Sequence, residues 1–74
     1  MDNTAKFFWL MRRQTLENEL KYQQTLRELV QNDKDRNEER WDEDKASETE
    51  WVLQEIDENI RGLEEDLKNV PNLE

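Results

Sequence analysis

The chain has 74 residues, with 20 Asp and Glu against 11 Lys and Arg, a formal charge of −9. That length holds one small domain with little room for an enclosed catalytic cleft. No cysteine or histidine is present, which removes disulfides, Cys-metal sites and the usual general base. The charge disfavours direct nucleic-acid binding, because phosphates would be repelled, and favours a basic partner.

The first predicted element is a helix over about 4–30, capped by Asn3 or Thr4. Its apolar residues spread over about half of a helical wheel drawn at 100° per residue. Leu16, Leu20 and Val30 can pack on a second helix. Phe8, Trp9, Met11, Tyr22 and Leu26 are in excess of what one partner helix covers, and are expected to form an oligomer interface. Phe7 and Leu10 project away from the main apolar arc.

Residues 31–37 contain no apolar side chain and read as the connection, although nothing in them forbids one long bent helix. Within them, Asp33, Asp35 and Asn37 match the first half of a calcium loop. The sixth position should be glycine and is Glu38, and the twelfth should be glutamate and is Asp44, so a polar linker with cap formers explains them better.

A second helix is predicted over about 38–70, with Asn37 or Asp35 as its cap and Pro71 marking its end. Ala46, Thr49, Leu53, Ile56, Ile60, Leu63, Leu67 and Val70 follow one another at alternating spacings of three and four. This is an apolar seam of more than three heptads. Glu50, Asp57 and Glu64 flank it on one side, so the seam calls for a more basic or an antiparallel partner helix. The fold expected is all-α: a helical hairpin, dimerising into a four-helix or coiled-coil-like assembly.

The charge is unevenly placed. Residues 1–30 carry four acids and five bases, and residues 31–74 carry sixteen acids and six bases, a balance of +1 against −10. Thirteen carboxylates fall between Glu38 and Asp66. Over about 42 Å of helix that is one per roughly 3.2 Å, close to the ~3.4 Å phosphate spacing of one DNA strand. A rigid rod with such a surface can compete with DNA for a basic channel. The partner-binding set expected is Asp42, Glu43, Asp44, Glu48, Glu50, Glu55, Asp57, Glu58, Glu64 and Glu65, with Trp51 as an aromatic on the side opposite the seam. Trp51, like Trp41, fits either a binding hot spot or packing against a second protomer.

A metal-dependent hydrolase would need facing acid pairs from separate helices. The first helix offers only Glu17, Glu19 and Glu28, and an enzyme is not expected, nor is any metal or cofactor. The longest apolar run, Phe7 to Met11, is too short for a signal or a membrane span. A complete, cytoplasmic protein with no membrane contact is expected. The alternative function is a coiled-coil adaptor whose charge serves only solubility.

In size, helical content and acidic second half, the chain resembles the phage-encoded inhibitors of the bacterial DNA polymerase sliding clamp. That resemblance implies a dimer, acting in the host cytoplasm, that enters the clamp's positively charged channel and blocks DNA. It casts the second-helix acids as ligands of channel Lys and Arg. The arginine-containing first helix departs from a uniformly acidic mimic, and its arginines fit internal salt bridges.

Overall fold

The computed structural model describes residues 2–73. Two helices make an antiparallel hairpin: α1 spans Asn3–Asn37 and α2 spans Glu43–Lys68, joined by a single 3-10 turn at Glu38–Arg40. The molecule is a rod, 57 × 15 × 14 Å along its principal axes. No strand forms among the described residues. No described helix is long and apolar enough to cross a membrane.

The helix boundaries differ from those read in the sequence. Asp2 caps α1, its carboxylate accepting from the Ala5 backbone N–H at 2.8 Å. Asn3 and Thr4, the caps expected, lie inside the helix. At the other end α1 continues through 31–37, where a connection was expected. Side-chain hydrogen bonds hold this polar stretch in register: Gln31 donates to Asp35 at 2.9 Å, and Asn37 donates to Asp33 at 2.8 Å. Both are four-residue pairs that support isolated helices, and Lys34 and Arg36 in the last turn suit the negative end of the helix dipole.

The reversal is therefore displaced to 38–42. Trp41 is extended, and Asp42, not Asn37 or Asp35, caps α2 by accepting from Lys45 N–H at 2.8 Å. The helix ends at Lys68, two residues short of the expected 70, and Val70 follows in a bend just before Pro71.

These boundaries redistribute the charge. Within α1 there are five acids and seven bases, giving +2, and within α2 ten acids and three bases, giving −7. The hairpin thus sets a positive helix along a negative one.

The core lies between them and is thin. Leu16, Leu53 and Ile56 are buried, as the spacing of the apolar residues predicts. Thr49 is buried on the same line, its hydroxyl donating to the Lys45 carbonyl at 2.9 Å. No described side chain is more than 98% covered. The other seam residues, from Ala46 to Val70, are half-buried. On α1 the line that meets α2 runs Leu16, Leu20, Gln23, Arg27, Val30, Lys34. Leu16, Leu20 and Val30 were expected on that line, whereas its polar half, Gln23, Arg27 and Lys34, was not legible from apolar periodicity.

Candidate acidic interaction surface

The α2 acids divide into two sets according to the flank that meets the α1 bases. Glu50 and Asp57 face α1. Arg27 Nε donates to Asp57 Oδ1 at 2.6 Å, and Lys34 Nζ donates to Glu50. Residue numbers in both pairs sum to 84 (27 + 57, 34 + 50), so one antiparallel register explains both. Glu64 is seven residues beyond Asp57 on the same flank, but its counterpart in that register is Leu20 (84 − 64), not a base. On the opposite edge of the seam Asn59 donates to Gln23 at 3.5 Å.

Electrostatics agree with this division. The hydrogen bond to Asp57, helped by its charge, raises Arg27 above the ordinary arginine value against a smaller opposing effect of burial. Lys34 is raised above the ordinary lysine value, first by its hydrogen bond to Glu50. Partial burial opposes that rise, and the charges of Glu50, Glu38 and Asp35 reinforce it. The stabilisation from Lys34 is therefore fully present below the ordinary lysine value, and fades as pH rises through the raised one.

Two of the expected partner-binding acids, Glu50 and Asp57, thus serve first to hold the hairpin. Both remain partly in contact with water, with side chains 53% and 45% exposed.

The second set points outward. At 100° per residue, Asp44, Glu48, Glu55, Glu58, Glu65 and Asp66 fall along one side of α2, away from Arg27 and Lys34, with Glu48 and Asp66 at its edge beside α1 residues. All but Glu55 are exposed, and Glu55 is half-buried. No base falls within this line, but Arg61 and Lys68 border its C-terminal half. Lys45 lies over the Trp41 ring, 5.4 Å from its centroid, and Arg61 stands beside Asp57 and Glu58, one turn from Glu65. From Asp44 to Asp66 the line covers about 33 Å, one carboxylate per roughly 5.5 Å. That is sparser than the count over the whole segment implied, because the carboxylates are spread around the helix. Asp42 and Glu43 are exposed at the start of α2, and Glu64 is exposed on the α1-facing flank.

Trp51 lies in the middle of the outward line and is 61% exposed. Trp41 is half-buried and occupied by Lys45, so of the two tryptophans only Trp51 presents an open face.

The expected oligomer residues also divide. Phe8, Met11 and Tyr22 are exposed by 60% or more, whereas Trp9 and Leu26 are half-covered within the chain. Trp9 meets Phe8 edge to face, with ring centroids 5.2 Å apart. Leu29, 62% exposed, extends the same stripe, as its spacing from Tyr22 and Leu26 indicates, although it was not among the expected oligomer residues. Leu10 does not project freely. It is half-buried in a groove with Leu67, Val70 and Pro71 at the C-terminal end. Phe7 is exposed.

Asp33, Asp35 and Asn37 lie in the last turns of α1, where a straight helical backbone cannot wrap an ion. Among the described residues no three acidic side chains converge into a metal-holding group. Comparison with protein-family models, curated proteins and solved structures finds no match to this chain.

Proposed function

We propose that the chain is an acidic interaction protein that competes with DNA for the basic channel of a DNA-binding protein, with the bacterial sliding clamp as first target. The observation that carries this reading is the outward line of six carboxylates on α2, bordered only at its C-terminal half by Arg61 and Lys68, on a helix of charge −7. A rigid rod of that kind fills a long positive groove without ordering cost, because its helices are already formed. The same reading has two copies acting together, each presenting its acidic helix.

The internal pairing of α1 bases with Glu50 and Asp57 supports the reading by removing its main objection. Arg27 and Lys34 are consumed within the hairpin and do not offset the outward line. The adaptor alternative draws on Trp51, whose exposed ring offers an apolar anchor to a protein partner.

Duplex DNA separates the two readings. Binding to purified bacterial sliding clamp should be displaced by duplex DNA that occupies the channel. Binding that survives saturation of the channel with DNA would sink the mimic reading and leave the adaptor.

A further inference from the structure

We propose that the groove between Leu29 and Val30 of α1 and Val52 of α2 receives Phe8 of a second copy, the two α1 helices lying antiparallel. The proposal deepens the two-copy part of the reading above. Its test uses no basic partner, so its failure leaves the acidic-ligand reading standing.

The stripe on α1 is Phe8, Met11, Thr15, Tyr22, Leu26 and Leu29. It lies about 100° around the helix from the line that meets α2, so it is the face the hairpin leaves uncovered. The groove opens on the same flank and has a volume of about 300 Å³. Its walls are Leu29, Val30, Thr49 and Val52, with Asp33, Lys45 and Glu48 at the rim. It is apolar, and it sits at one end of the stripe while Phe8 stands at the other.

Only an antiparallel mate brings those two ends together. Phe8 then faces Leu29, Met11 faces Leu26 and Thr15 faces Tyr22, each pair summing to 37. A twofold axis near Asn18 and Glu19 satisfies every pair twice, as an interface between identical chains requires. Both copies insert a Phe8 and both receive one.

Area and charge favour a second copy as the occupant. The accessible surface is 6045 Å², about 1,100 Å² more than the ~4,900 Å² that size scaling gives for a compact 9.1 kDa monomer. That excess is on the scale of the ~800 Å² each partner contributes to a stable interface. The stripe and its edges carry Arg12 and Arg36 against Glu19 and Asp33, a net charge of zero in a chain of −9. A like-charged copy can therefore approach on this face, whereas a basic partner finds no charge there to bind. The cost of the register is that both Glu19 carboxylates flank the axis, with both Asp66 carboxylates beside them.

The arrangement has a consequence for the acids. Within each hairpin the register of 84 places Asp66 beside residue 18 (84 − 66), next to the axis. Since the axis is perpendicular to the helices, both α2 helices fall on the same side of the α1 pair, their C-terminal ends meeting. The two outward carboxylate lines then follow one another over about 65 Å.

The chain has no native cysteine, so single cysteines report the pairing directly. Asn18→Cys should form an inter-chain disulfide on mild oxidation. Thr4→Cys, on the same stripe but about 43 Å from its mate along the axis, should not. Sedimentation should give twice the 9.1 kDa of one chain, and Phe8→Ala should weaken the dimer at least tenfold while keeping the helical circular dichroism of the native chain. Three results would each overturn the proposal: a single-chain mass at about 100 μM, cross-linking of the Thr4→Cys variant but not of the Asn18→Cys variant, or a Phe8→Ala dimer of unchanged strength.

Discussion

Ile56→Ala is expected to destabilise the hairpin by about 2–4 kcal/mol, and Ile56→Asp to leave it unfolded. Ile56 is 3% exposed, the most covered of the three buried apolar side chains. Leu16 and Leu53 are the other buried apolar side chains among the described residues, so little core remains to absorb a cavity. In a domain of this size, net stability from one core rarely exceeds ~3–5 kcal/mol, and the alanine variant consumes most of it. An aspartate at 56 would bury an unpaired charge, which costs more than the missing methyl groups. Thermal melts followed by helical circular dichroism measure both. A melting temperature within about 3 °C of the native one for Ile56→Ala would show that the stability lies elsewhere, for example in the second copy.

The second large effect concerns binding. Reversing two outward acids together, Glu55→Lys with Glu58→Lys, should weaken binding to a basic channel by about 10- to 100-fold, since charges that face opposite charges across an interface become repulsive. The same variant should keep its fold, because neither side chain takes part in an ion pair of the hairpin. Reversing Asp57 is a different experiment. It sets two bases against each other at Arg27, so any loss of binding would be mixed with loss of the hairpin. Calorimetric titration of the Glu55/Glu58 variant against purified clamp, with circular dichroism as the folding control, reads the effect. Native affinity in the double reversal would assign the charge to solubility and favour the adaptor.

The α2 seam was legible in the sequence because its apolar residues alternate at three and four without a break, and the structure buries its central members. The demand for a basic antiparallel partner was legible in Glu50 and Asp57 beside that seam, and Lys34 and Arg27 meet it. The end of α1 was not legible. Residues 31–37 have no apolar side chain, and their helicity rests on four-residue hydrogen bonds and on Lys34 reaching a residue of the other helix. The cap of α1 was ambiguous because Asp2, Asn3 and Thr4 are all good cap formers.

The division of the acids was the largest thing missed. Periodicity along α2 gives the seam but not the flank that meets the α1 bases, and that flank decides which carboxylates are consumed. A signal was nonetheless present. Arg27 and Lys34 are seven residues apart, as are Glu50 and Asp57, and one register aligns both pairs. Counting all thirteen carboxylates as one array overstated the density of the surface, since the outward line holds six of the carboxylates in α2.

The central claim is that the outward carboxylates of α2 engage a basic channel, and the most direct measurement is the affinity for purified bacterial sliding clamp as a function of salt. Exposed charges separated by more than a Debye length, about 10 Å at 0.1 M and shorter at higher ionic strength, are largely screened. An interface made by this line should therefore lose at least tenfold in affinity between about 50 and 200 mM salt. An affinity that changes less than about twofold over that range would contradict the account.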